Sequence, residues 1–175
     1  IFPIAALYRE ANVSDQAYWD VNVMATEHLM QAALDHNVER GVHCSTCGVH
    51  GHIAQPPADE TAPVEPEDIY QETKWQGEQV AMRYYHEHQL PVTVVRPVGI
   101  YGPGDTRMLK MYKLVQQQRF ILFGGGNVHY HLTFVTDTVE GFRLAGEEDK
   151  AIGQTYIIAG EQYTTLGKFA EQVAA

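Results

Sequence analysis

The chain has little of what marks several common classes of protein. Of its 175 residues, 12 are lysine or arginine against 22 aspartate or glutamate, a formal net charge of −10. That balance repels phosphate backbones and anionic headgroups, which argues against a nucleic acid or a membrane surface as partner. No apolar run approaches the roughly 20 residues that a membrane-spanning helix needs. No signal peptide is visible, and the chain is read as cytoplasmic. Low-complexity tracts and internal repeats are absent from the sequence. Cysteine is nearly absent, with only Cys44 and Cys47. Their Cys-x-x-Cys spacing, with His43, His50 and His52 close by, invites a zinc or redox reading. Structural zinc sites usually recruit a second ligand pair from a distant segment, and only histidines could supply one here. The favoured reading is therefore a small buried Cys44 on a strand, Cys47 in a loop, and no metal.

A starting methionine is missing as well. Ile1-Phe2-Pro3-Ile4-Ala5-Ala6 opens the chain as an apolar, strand-like run. A chain that begins inside a buried-looking strand is expected to be a piece of a larger one, with an exposed edge at residues 1–6 that aggregates or pairs.

What is present is ordinary globular material, 45% hydrophobic and 19% charged, enough for one domain with a sizeable core. Apolar steps of three and four residues from Ala17 to Asn37 predict a helix. Gly41–Thr46 predicts a strand, and residues 53–68, with their prolines and carboxylates, a surface loop. A helix from about 69 to His88 leads into the near-continuous apolar strand Val92–Val95, the pattern of a parallel sheet covered on both faces. Beyond it come a turn at 101–105, a helix at 107–118, the flexible triplet Gly124–Gly126 and a strand at Leu132–Val135. Asp137 is expected to cap a helix at 138–146. A strand at Tyr156–Ala159 and a helix from Thr164 or Thr165 to Ala175 complete the chain. Alternating strands and helices predict a doubly wound parallel α/β sheet with right-handed crossovers.

One pair in this order carries chemistry. Tyr70 and Lys74 stand four residues apart on a helix, so their side chains share a face. A free phenol titrates at about 10. A neighbouring ammonium favours the phenolate, and lowering the pKa by about three units takes about 4 kcal/mol. Such pairs arise by chance, so the surroundings decide.

Those surroundings resemble the extended short-chain dehydrogenase/reductases, the NAD-dependent epimerase/dehydratase family, over nearly the whole chain. The matching pieces are the strand ending in Ala5-Ala6, Asn22 with Thr26, and Ser45-Thr46-x-x-Val49-His50-Gly51. Tyr70-x-x-x-Lys74 with Glu78, Arg96-Pro97 with Tyr101-Gly102-Pro103-Gly104-Asp105, and Val135-x-Asp137 follow. The resemblance implies a partial Rossmann-type fold. Residues 1–160 would be the C-terminal half of an NAD(P)-binding domain, with a substrate-region insertion at about 104–131 and the start of a C-terminal substrate-binding region at 161–175. The family's glycine-rich pyrophosphate turn precedes the strand at 1–6, and no such motif occurs in this sequence. The resemblance therefore implies a chain that alone is poorly soluble, binds NAD(P) weakly and is inactive.

By resemblance, Tyr70 is the general acid/base for a secondary alcohol or ketone, while a hydride moves to or from NAD or NADP. Lys74 would hold the nicotinamide ribose and lower the phenol pKa, and Thr46 would bind the substrate oxygen. Ala5, Ala6, Asn22, Ser45, Pro97 and Ile100 would line or order the cofactor cleft. The implied partner is a small molecule, a sugar nucleotide or another carbonyl or alcohol compound, and the helices at 17–37 and around Tyr70 permit a homodimer. The family's dehydratases carry Asp-Glu directly after the site threonine; Cys47 and Gly48 stand there, against dehydration. Gly99 and Tyr130 occupy places where many sugar-nucleotide epimerases carry Asn and Arg, which weakens that substrate class. Two alternatives stay open. One is a reductase of a less charged carbonyl compound, of the dihydroflavonol or hydroxysteroid kind. The other is a non-catalytic remnant acting through protein contacts.

Overall fold

The computed structural model describes residues 1–174; Ala175, the expected end of the last helix, lies outside them. Ser14 accepts a hydrogen bond from the Ala17 N–H and so starts helix α1 (Asp15–Trp19). A π-helical turn (Asp20–Met24) leads into α2 (Ala25–Asp35). Strand β1 (Gly41–Cys44), a 3₁₀ turn (Cys47–His50), α3 (Ile69–His88) and β2 (Val92–Pro97) follow. Next come β3 (Gly99–Tyr101), α4 (Leu109–Gln116), β4 (His129–Tyr130), β5 (Leu132–Phe134) and α5 (Val135–Glu147). The last elements are β6 (Thr155–Ile158), β7 (Thr164–Thr165) and α6 (Leu166–Ala174). No helix among the described residues is long and apolar enough to cross a membrane.

The chain divides into two units, one of Ile1–Pro97 with Glu140–Ile158, the other of Val98–Val139 with Ala159–Ala175. The first unit holds the expected parallel sheet, in the order β1-β2-β6. The opening segment extends that sheet. Val42 N–H donates to the Ile1 carbonyl and Cys44 N–H to that of Pro3, at 3.0 and 3.4 Å. It runs parallel to β1 without forming a regular strand, in keeping with a proline that has no N–H to give.

Two hydrophobic layers explain why β2 is buried throughout. Val92 packs with Met30, Ala33, Ala81, Tyr84 and Leu90 against α2 and α3. Val95, pointing the other way, packs with Val42, Phe142 and Ala145 of α5. Helices cover both faces, as the sequence pattern predicts. Where the first helical segment meets α3, Gly77 removes the Cβ that would lie 2.4 Å from the Asn22 carbonyl oxygen. That carbonyl accepts instead from the Thr26 hydroxyl at 2.9 Å.

The second unit builds two small ladders, β3 with β5 in parallel and β4 with β7 antiparallel. Phe169 of α6 draws Tyr112 and Tyr130 together, with ring centroids 6.4 and 5.6 Å away. The unit starts at Val98, whereas the sequence places an insertion at about 104–131. The glycine triplet lies in a 3₁₀ turn, Phe123–Gly126. One expectation is corrected. Asp137 does not cap α5, because the helix already begins at Val135, leaving Asp137 in the first turn. A carboxylate there still suits the positive end of the helix dipole.

Candidate active site

Parallel strands leave their carboxyl ends on one side of the sheet, and the polar side chains of the first unit gather there. Asp68 sets up the central element. Its Oδ1 accepts the Gln71 N–H at 2.8 Å, capping α3, so that Tyr70 falls in the first turn and Lys74 one turn later. Thr46, extended beyond β1, caps the 3₁₀ turn by accepting the Gly48 N–H at 3.1 Å. The Thr46 hydroxyl also acts on the Tyr70 phenol, favouring its ionised form. The threonine hydroxyl still has a proton to donate and a second lone pair to accept with, so it can serve the phenol in either protonation state.

Burial pushes the Tyr70 phenol up to about 12, opposed first by the Thr46 hydrogen bond, with Cys44, Tyr8 and Arg9 as smaller influences. The sequence expectation has Lys74 lowering this pKa. Here Lys74 Nζ donates to the Cys44 carbonyl oxygen at 2.5 Å, and the phenol's burial sets the direction. Lys74 is itself buried, and desolvation lowers its pKa against the pull of Cys44 and Glu78.

Asn22 faces inward, 3% exposed. Its Nδ2 donates to the Leu7 carbonyl (3.1 Å) and to Thr73 Oγ1 (3.0 Å), while its Oδ1 accepts the Leu7 N–H (2.9 Å). It thus ties the segment after Ala5-Ala6 to the helix of Tyr70. Ser45 N–H donates to the Val95 carbonyl at 2.7 Å, but its buried hydroxyl has no partner among the described residues. Ala5 and Ala6 are exposed beyond the carboxyl end of β1, and Pro97 is buried opposite Ile158. Ile100 belongs to the second unit, paired with Thr133. Cys44 and Cys47 are free thiols, and burial pushes Cys47 up to about 11.

Sequence reasoning names one group only as separate motif residues, without joining them, and passes over another. Arg96 and Glu78 form a buried two-pronged ion pair, Nε–Oε2 at 3.0 Å and Nη2–Oε1 at 2.5 Å. Arg96 Nη1 also meets His50 Nε2 at 3.0 Å. Since arginine only donates, that nitrogen accepts, and His50 Nδ1 carries the proton it gives to the Pro63 carbonyl at 3.0 Å. Glu60 Oε1 accepts the Ile157 N–H at 2.7 Å, so the carboxylate-rich loop is stapled to the sheet rather than wholly free at the surface. The other group is Tyr8 and Arg9, which the sequence shows only as polar loop. The Tyr8 ring stands edge-on to Tyr70, centroids 4.9 Å apart, and the Arg9 guanidinium lies 5.2 Å from the Tyr70 ring centre. The signal available in the sequence is an aromatic–cation pair directly after Ala5-Ala6-Leu7.

Comparison with known proteins adds to this geometry. The NAD dependent epimerase/dehydratase family model matches residues 1–159. A dTDP-glucose 4,6-dehydratase of Streptomyces niveus is 30% identical over 156 residues, covering 87% of this chain and 46% of that protein. The sterol-4-alpha-carboxylate 3-dehydrogenase ERG26 of Candida albicans is 31% identical over 173 residues, covering 90% and 49%. The crystal structure of DesIV, a dTDP-glucose 4,6-dehydratase from Streptomyces venezuelae, with NAD and TYD bound, superposes with a TM-score of 0.82. It is 25% identical and covers 97% of this chain and 54% of that one. The chain thus spans about half the length of the curated relatives it matches.

Proposed function

Because this chain belongs to the NAD dependent epimerase/dehydratase family, we propose that it carries the proton-transfer part of a site that oxidises a secondary alcohol or reduces a ketone. The observation that carries this reading is the placement of Tyr70 in the first turn of α3, one turn before Lys74, with its phenol under the influence of the Thr46 hydroxyl. A phenol whose pKa lies near 12 holds its proton at neutral pH, available to an incoming substrate oxygen. In the reducing direction Tyr70 gives the proton to the carbonyl oxygen, and Thr46 stabilises the phenolate left behind. In the oxidising direction the same bonds return the proton.

The cofactor is NAD or NADP, as in the relative solved with NAD. The orphaned Ser45 hydroxyl and the Lys74 ammonium fit the nicotinamide–ribose end of such a group. Bound there, the nicotinamide supplies or accepts the hydride. Asn22 keeps the wall at Leu7 fixed to α3, and Ala5, Ala6 and Pro97 present backbone and apolar surface beside it.

Dehydration is disfavoured because Cys47, a thiol held neutral by burial, and Gly48 offer no acid/base pair for water loss. The substrate is a sugar nucleotide or a less charged carbonyl compound such as a sterol ketone, in line with the two kinds of relative. Assay of the polypeptide carrying this chain separates them. Epimer formation from UDP-sugars marks the first class, and NAD(P)H-coupled reduction of sterol or flavonoid ketones marks the second. Tyr70→Phe should remove either activity. Turnover of neither class would overturn the reading.

A further inference from the structure

The segment Leu7–Glu10 is fastened at both ends by buried side chains. Asn22 takes both backbone polar groups of Leu7. At the other end the Tyr18 hydroxyl, on a residue 4% exposed, accepts the Glu10 N–H at 2.8 Å and reaches the Glu10 carbonyl at 3.4 Å. Between these anchors, Tyr8 and Arg9 are set against Tyr70. Arg9 is fixed a third time. Its Nε and Nη2 lie 2.8 and 2.7 Å from Asp68 Oδ2, the carboxylate oxygen that does not cap α3. Its Nη1 is 3.3 Å from the Tyr8 hydroxyl. A flexible, exposed arginine has no reason to be held in so many ways by surface packing alone, since isolated surface ion pairs contribute little.

We propose that Arg9 is a positioning residue for Tyr70: the strap Leu7–Glu10 holds its guanidinium against the phenol ring, fixing the ring and setting a permanent positive charge beside the proton that Tyr70 exchanges. This rests on the reading of Tyr70 as the acid/base. Lys74, the cation that the sequence assigns to this duty, is engaged by the Cys44 carbonyl. The groups that act on the phenol are Tyr8 and Arg9 from the strap, Cys44 from β1 and Thr46 from the turn, while Asp68 pairs with Arg9 and Lys74 with the Cys44 carbonyl. Of the two cations, Arg9 is the one that lies over the phenol ring, 5.2 Å from its centre.

The test uses the polypeptide carrying this chain, labelled with 3-fluorotyrosine, whose phenol titrates at lower pH than tyrosine's. Fluorine NMR follows the tyrosines, and the resonance lost in Tyr70→Phe is that of Tyr70. Arg9→Gln should raise its midpoint by about half a pH unit, about a threefold loss of phenolate at fixed pH, as expected for a unit charge a few ångströms away in a wet setting. Arg9→Lys, keeping the charge without the planar stack, should recover part of that shift. A merely structural strap predicts that Arg9→Gln and Arg9→Lys act alike, and either that result or an unmoved midpoint overturns the proposal. Hydride transfer by the polypeptide carrying this chain separates the two claims. If Tyr70→Phe retains turnover, the role of Tyr70 fails and this inference with it. If Tyr70→Phe is inactive and Arg9→Gln leaves the midpoint in place, only the role of Arg9 fails.

Discussion

His43 makes stability depend on pH in a way that can be worked from the structure. It sits on β1 opposite Val94, 2% exposed, and neither ring nitrogen has a partner among the described residues. Burial, aided by the Lys74 charge, brings its pKa down from 6.5 to about 3. Between those values the unfolded chain binds the proton and the folded chain does not. The stability is therefore fully present above pH 6.5 and is lost as pH falls toward 3. At about 1.4 kcal/mol per unit, the loss at pH 5 is about 2 kcal/mol, and the full span is worth about 5 kcal/mol. Carboxylates add their own acid dependence, so the assay is a comparison. Urea unfolding of the wild type and of His43→Leu is followed at pH 7 and pH 5. The variant should lose about 2 kcal/mol less between the two pH values. At pH 7 it should be no less stable, because it removes two polar atoms that lack partners in an apolar setting. Identical pH dependence in the two proteins would refute the reasoning, and so would a large loss at pH 7.

The remaining stability predictions follow from close packing and buried charge. Glu78→Gln leaves Arg96 buried without its counter-charge and should cost about 3–5 kcal/mol in urea unfolding, whereas joint replacement by Glu78→Leu and Arg96→Met should restore most of it. A loss of the size seen for surface pairs would show the network to be solvated. Gly77→Val drives a side chain into the Asn22 carbonyl and should lower stability by about 2 kcal/mol or more, read as a drop in Tm. An unchanged Tm would mean that the two helical segments are free to separate.

Much of this was legible in the chain itself. The apolar run Val92–Val95 announces a strand buried on both faces, and Val92 and Val95 do pack into opposite layers. Asn22, polar within an apolar helix, would pass for a solvent-facing residue; the family resemblance assigns it to the cleft, and it is buried. The π-helical turn at Asp20–Met24 left no trace in the periodicity, and its contact with Gly77 of α3 lies more than fifty residues away in the chain. Asp137 looked like a cap because residue type alone does not reveal where a strand gives way to a helix. The Lys74 Nζ bonds to a carbonyl 30 residues back in the chain, a contact that the helix pattern did not show. Arg9 stayed hidden for the same reason: its ion pair and ring contact join segments about sixty residues apart. Interactions of that range depend on the assembled sheet, and no window of sequence contains them.

The central claim is that the Tyr70 phenol, fed by Thr46, is the group that exchanges the substrate proton. The most direct test is the rate of hydride transfer, measured in single-turnover reactions of the polypeptide carrying this chain, for the wild type and Tyr70→Phe. The account predicts a fall of about 10²–10⁴-fold, with the fold unchanged by circular dichroism. A Tyr70→Phe protein that transfers hydride at the wild-type rate would contradict it.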